Sequence, residues 1–503
     1  MSDVRVTYSG LISLALGLLS ALTGLIFVLI MTRSISEADL SAWTLIGGLF
    51  TYVLIIEPVI SYWNIRQVAR GGDSGRTAVL SGGLFASVGT VGFVIMAYFV
   101  FVGSDTDPEI ILYAAALIPL QFLNSTLASV ALGWRPHMAS YGLVILDLVK
   151  IPTALLLVYQ LDWGITGVIV SLAISYLVVD VVLAYLVREK LRGKFSVAYL
   201  RSWARLSWLP LFERFPTMVM LEVVIFSAIT GGAAGLAHWT VALTSSSIAQ
   251  HASRLVQSLH AKLLGGGSRE YLQESLALLL YFALPFMAVS IVFAEPIVHA
   301  LNPVYAGAVP AARMLAVVAL LANLDALFIN ALRGIEKVDM STDTSFRRYL
   351  RSDLFRLPKM MLAHKFVYWA VLAAGLALLT GVVQDRVDLV VAWSVIALIT
   401  HVPFTAYFVL LARRRFAPRV DAVRITKYAG ATAIVYAPAF LAIPHVLEYD
   451  GPLLVLLPAL LGLVALTFAA YVLVTYAVDA HTRRLVGAVL GEVLSRTRGG
   501  ARP

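Results

Sequence analysis

The sequence predicts an all-α polytopic membrane protein with about fourteen transmembrane helices. Two observations carry the fold class. Apolar residues make up 60 % of the 503 positions and charged residues 13 %, against about 45–50 % and about 25 % in an average soluble domain. Stretches long enough to cross a bilayer recur from one end to the other, about 20 apolar residues being needed for a core about 30 Å thick. The mean hydropathy is +0.86. These figures exclude an ordinary soluble enzyme, a disordered chain and a fibrous protein.

The predicted spans lie at approximately 8–31, 41–62, 78–103, 110–133, 139–160, 165–187, 206–229, 233–260, 273–297, 309–332, 366–383, 388–411, 427–446 and 452–478. The first follows Arg5, is too long for a signal-peptide core and shows no cleavage site, so it reads as retained. Its stripe of Ser9, Ser13, Gly17, Ser20 and Gly24 suits close helix approach. The last span has no internal charge and reads as able to face lipid all round.

Charge placement supports the count. With the N-terminus in the cytoplasm, about 33 of the 38 Lys and Arg fall on the cytoplasmic side, as the positive-inside rule requires. Arg33 and Arg386 fall outside, and Lys150, Arg214 and Arg313 lie within spans. Acidic residues such as Asp105, Asp107, Glu448 and Asp450 mark the external loops. Both termini are therefore expected in the cytoplasm, and the protein in the cytoplasmic membrane. The net charge of +9 belongs to the anionic inner membrane surface, so no nucleic-acid partner is expected.

Several chemistries are excluded. The absence of cysteine removes disulfides, thiolate metal sites and thiol catalysis. No phosphate-binding lysine loop, HExxH motif or G-x-S-x-G elbow occurs. The run Gly265, Gly266, Gly267 sits between spans without a preceding strand and reads as a flexible link. External loops are short, so no catalytic domain is expected there, and neither an enzyme nor a cofactor is read.

The eighth span carries a polar seam. Thr240, Thr244, Ser247, His251, Arg254 and Ser258 follow steps of three and four, which place them on one helical face. Val241, Leu243, Ile248 and Ala249 lie away from it. A wet face inside a membrane turns toward a cavity or toward polar partners. Two readings stand: lining of a substrate cavity, or a Ser/Thr packing seam.

Other spans also carry charge. The seventh holds Glu213, Arg214 and Glu222 around Pro216, where a kink is expected. Asp147 and Lys150 in the fifth stand at i, i+3, so they either neutralise each other or present the lysine to a substrate phosphate. Glu57 precedes Pro58 in the second span, Asp180 lies in the sixth, and Arg313 and Asp325 lie in the tenth. One water-filled central cavity explains so many ionisable groups more simply than separate ion pairs. Thr240, Thr244, Ser247, His251, Arg254, Glu213, Arg214, Asp147 and Lys150 are its candidate lining. Glu57, Glu222 and Asp325 are candidates for ion coupling. Residues 341–360 and 480–498 read as basic amphipathic helices on the cytoplasmic surface.

Three stretches resemble the polysaccharide-biosynthesis flippases of the multidrug/oligosaccharidyl-lipid/polysaccharide exporter superfamily. They are 11–53, with its turn of Thr32, Arg33, Ile35, Ser36 and Asp39; 297–339, with Tyr305, Ala306, Ala308 and Pro310; and 348–365. The resemblance implies two pseudo-symmetric six-helix bundles, at 1–190 and 200–411, arranged as a V. Helices 13 and 14 follow at 425–478, and a cytoplasmic amphipathic tail at 479–503. It implies alternating access around a polar cavity and a monomer, with glycan-assembly enzymes as candidate partners. The substrate implied is a polyprenyl- or dolichyl-linked oligosaccharide, drawn from among the membrane lipids. The first helix lacks the arginines of the lipid II branch and the acid of many cation-coupled drug exporters. A multidrug or small-solute exporter of the same superfamily is the alternative.

Overall fold

The structure is a computed structural model of the chain. It describes residues 22–101, 108–205, 220–256, 269–335, 352–416, 421–449 and 452–484, with short pieces at 207–208, 210–212, 215 and 486–487. Every regular element among the described residues is helical. Among the described residues, ten helices are long and apolar enough to cross a membrane, and a bent pair makes an eleventh. These coincide with the predicted second to sixth and ninth to fourteenth spans. The other three are matched less fully. The first is described only as Leu22–Ser34, and the seventh yields a ten-residue helix, Leu221–Thr230. The eighth yields fifteen α-helical residues, Leu236–Gln250. The chain is thus a multi-pass membrane protein of all-α class.

Contacts divide the chain into two compact units. The amino unit comprises residues 23–240 and 358–390; the carboxyl unit is built on 241–357 and 391–503.

The amino unit contains α1 (Leu22–Ser34), α2 (Glu37–Leu54), α3 (Pro58–Ala69), α4 (Gly75–Phe101), α5 (Pro108–Ala115) and α6 (Leu117–Trp134). It continues with α7 (Pro136–Ala154), α8 (Gly164–Leu186), α9 (Val197–Arg205) and α10 (Leu221–Thr230). The turn before α2 has a local cause. Ser36 Oγ accepts from the Asp39 amide at 3.1 Å and donates to the Asp39 carboxylate at 2.9 Å, which caps the new helix. The bend of 56° between α2 and α3 falls where Pro58 removes a backbone donor.

α6 is the hub of this unit. A Cβ on Gly133 would lie 2.7 Å from the Ile65 carbonyl oxygen, so only glycine lets α6 approach α3 this closely. Beside it Asn64 donates to Ser129 and accepts from Ser74, both at 2.7 Å. On α4 the stripe Leu84, Val88, Val91, Ile95 and Tyr98 is exposed at helical spacing. Such a stripe suits lipid and would be a liability in water. α10 ends on Gly231 (φ +73°), and Gly235 (φ +93°) opens the next helix, so the intervening turn uses left-handed backbone.

α11 (Leu236–Gln250) is shared between the units at Thr240 and Val241, as are α15 (Asp353–Leu379) and α16 (Arg386–Phe416) at their own boundaries. The carboxyl unit adds α12 (Arg269–Val292), α13 (Ala294–Leu301), α14 (Val309–Ile335), α17 (Ala422–Val446) and α18 (Leu453–Val478). α12 is its central helix, packed against α14, α17 and α18.

The last span corrects the sequence reading. α18 does not meet lipid all round: Leu456, Leu460, Tyr471 and Thr475 form a buried stripe. Tyr471 donates to the Tyr281 carbonyl of α12 at 2.8 Å. Apolar residues and a spanning Tyr or Thr look the same to a hydropathy scan whether they meet lipid or protein. Of the two amphipathic segments, 353–360 forms the first two turns of α15; 341–351 and most of 480–498 lie outside the described residues.

Candidate functional site: charge pairs within the membrane helices

In the amino unit two lysines hold two carboxylates. Lys150 Nζ lies 2.7 Å from Asp147 Oδ1, the i, i+3 pair expected on α7. Thr23 of α1 donates to the other carboxylate oxygen at 2.8 Å, and Lys150 stands over the Phe27 ring at 5.2 Å. Both carboxylate oxygens are therefore matched, and α1 is tied to α7.

The second pair was not foreseen. Glu222, in the first turn of α10, accepts from Lys365 Nζ of α15 at 3.2 Å and from Trp369 Nε1 at 2.8 Å. Glu222 is buried and Lys365 is partly buried. The lysine also faces the Tyr368 and Trp369 rings at 5.6 and 5.9 Å. The predicted eleventh span begins at 366, which leaves Lys365 just outside it. The helix begins at Asp353 and its membrane-length part at Phe355, so Lys365 lies well inside one continuous helix. The amphipathic sequence of its first turns hid them from a search for apolar runs.

In the carboxyl unit Asp325 of α14 pairs with His401 Nε2 of α16 at 2.9 Å. His401 drew no attention in the sequence because a single histidine in an apolar span has no motif around it. Arg313 lies 3.8 Å from Glu295 and 5.2 Å from the Phe440 ring centroid.

The polar seam is only partly helical in the predicted sense. α11 ends at Gln250 and tightens into a 3-10 turn, His251–Val256, so a constant α-helical face does not run through His251 to Arg254. His251 Nδ1 donates to the Ser247 carbonyl at 2.8 Å. Thr240 pairs with Thr44 of α2 inside the amino unit. Thr240, Thr244, Ser247 and His251 are all half-buried, whereas Val241, Ser245, Ala249 and Ala252 are buried. Leu243 and Ile248, away from the seam, are half-buried as well, so exposure alone does not single the seam out. Asn323 of α14, missed in the sequence, donates to the Ala249 carbonyl at 2.7 Å and fastens the point of tightening.

Glu57 sits at the α2–α3 bend, half-buried. Glu213 and Arg214 lie outside the described residues, as do the Arg254 side chain and Ser258. No group of three or more metal-ligating side chains occurs among the described residues.

No family model matches the sequence, and no curated protein matches it. Solved structures do. An inward-facing multidrug resistance MATE family transporter of the MOP superfamily aligns with TM-score 0.59 and 13 % identity, over 80 % of this chain and 98 % of its own. The chain has a MATE-type fold. An outward-facing MATE structure aligns with TM-score 0.55 and 14 % identity, over 82 % and 96 %. A MOP superfamily transporter from Pyrococcus furiosus, described for the reverse polarity of its binding pocket, aligns with TM-score 0.51 and 14 % identity, over 81 % and 96 %. All three neighbours are described as transporters, two of them as multidrug resistance transporters.

Proposed function

We propose that this protein is a membrane transporter working by alternating access, and that its cargo is an anionic amphiphile of the lipid-linked oligosaccharide type. The MATE-type fold supports the transporter reading. The observation that carries the choice of cargo is the pairing of Asp147 and Glu222 with Lys150 and Lys365. A cationic drug approaching either carboxylate would have to displace a tethered ammonium. A phosphate meets an ammonium that can exchange one anion for another. Each sugar hydroxyl carried unbonded into hydrocarbon costs about 4–8 kcal/mol. A polar route is therefore required, and the half-buried Thr244, Ser247 and His251 offer hydroxyl, carbonyl and imidazole partners. A pocket of reversed polarity, described as suggesting a different function, has been reported for the Pyrococcus furiosus transporter.

The multidrug reading remains the second, favoured by the description of the inward- and outward-facing neighbours. A deletion strain separates the two. The first reading expects lipid-linked oligosaccharide to accumulate on the cytoplasmic leaflet, reversed by the wild-type gene but not by a Lys150→Met copy. Normal leaflet distribution with new sensitivity to cationic drugs would overturn it in favour of the second.

A further inference from the structure

Asp180 differs from three other carboxylates of the predicted spans. Asp147 has Lys150, Glu222 has Lys365 and Asp325 has His401. Asp180 lies on α8, six residues before its Leu186 end, and is 3 % exposed. Its partner is an amide: Asn124 Nδ2 of α6 donates to Oδ1 at 2.9 Å. Its Oδ2 is buried and has no hydrogen-bond partner among the described residues.

Among the described residues, the groups around it supply no counter-charge. α6 carries no ionisable residue. On α7, Asp147 and Lys150 are closed on each other, Tyr141 and, in the turn beyond, Tyr159 are exposed, and the His137 side chain lies outside the described residues. On α5, Tyr113 donates to Glu109 at 3.4 Å, in an exposed position. On α2, Glu37 lies 3.3 Å from His238, Asp39 is engaged by Ser36, and Tyr52 is the remaining titratable group. On α8 itself, Tyr176 pairs with Gln121 of α6, and Tyr185 lies under Arg188.

A charged carboxylate removed from water without a cation, and with one oxygen unmatched, is costly, and such a group neutralises by taking a proton. We propose that Asp180 is a proton-binding site of the amino unit. The closed α6–α8 contact holds it as the neutral acid, with Oδ1 accepting from Asn124 and the proton on Oδ2. The proton is exchanged when α6 and α8 part and water reaches the carboxyl. Acid therefore favours the closed contact. The inference concerns the ligand of this carboxyl alone and stands whatever solute the protein carries.

Infrared difference spectroscopy on the full-length protein in nanodiscs tests it without a transport assay. At pH 7 the wild type should show the carbonyl stretch of a protonated carboxyl, shifted by 13C-aspartate labelling. It should be absent in D180N and present in D147N and D325N. No such band in the wild type, a band insensitive to the label, or a band kept in D180N would each overturn the proposal. Thermal unfolding gives an independent reading, since asparagine mimics the neutral acid. D180N should melt with the wild type at pH 5 and above it at pH 8. An equal shift at both pH values would indicate a merely structural contact and overturn the proposal.

Discussion

Lys365 and Glu222 meet at 3.2 Å across two helices 143 residues apart in the sequence, both within the amino unit. The pair joins the first turn of α10 to the middle of α15, with Trp369 completing the carboxylate. Removing one partner of a buried ion pair costs about 3–5 kcal/mol. Lys365 keeps partial exposure, so K365M and E222Q should each cost nearer 2–3 kcal/mol on that scale. The double variant should recover part of the loss, because neither charge is then stranded. Thermal unfolding of the three variants in detergent checks this. Additive losses would show that the two residues do not act as a pair.

Asp325 and His401 should behave as one unit in the carboxyl unit. H401A leaves a buried carboxylate without its partner, whereas H401Q keeps a donor at the same reach. H401A is expected to lower stability by about 2–4 kcal/mol, with H401Q recovering most of it. Equal losses in the two variants would remove the hydrogen bond from the account.

Asn323 should prove structural. Its amide is buried and reaches the Ala249 carbonyl just before α11 tightens into its 3-10 turn. N323A should cost about 1–3 kcal/mol, the loss expected when a buried acceptor is orphaned. Amide hydrogen exchange should rise first in residues 249–256. Uniformly raised exchange across the carboxyl unit would contradict this local role.

The docking of α18 should weaken in acid. Asp479 caps it just beyond the spanning segment. Burial pushes its carboxyl up, but the Thr482 amide, the Tyr428 and Thr482 hydroxyls and nearby Arg424 outweigh that and hold it below the usual range. A lowered carboxyl contributes stability above its unfolded value of about 4 and loses it as pH falls through the folded value. D479N should therefore destabilise by about 1–2 kcal/mol at pH 7 and by much less below about pH 3. A penalty independent of pH would contradict the assignment.

Spans with long apolar runs were legible in the sequence because length and hydropathy alone define them. Positions at their edges were not. Lys365 lies one residue before its apolar run, although α15 begins twelve residues earlier at Asp353. The i, i+3 pair of Asp147 and Lys150 was legible because both partners share one helix. The partners of Glu222 and Asp325 come from helices distant in sequence, and nothing local signals them. The eighth span's seam was legible as a polar period, but the switch of helix type after Gln250 has no compositional mark.

The most direct test of the account is translocation in proteoliposomes. A fluorescent polyprenyl-diphosphate oligosaccharide should cross with the wild-type protein, with its leaflet read by a membrane-impermeant quencher. K150M and K365M should each slow it by roughly tenfold or more, the loss expected for a charge-assisted hydrogen bond. A cationic dye should not be carried. Transport of the dye, with the anionic lipid left in place, would contradict the central claim.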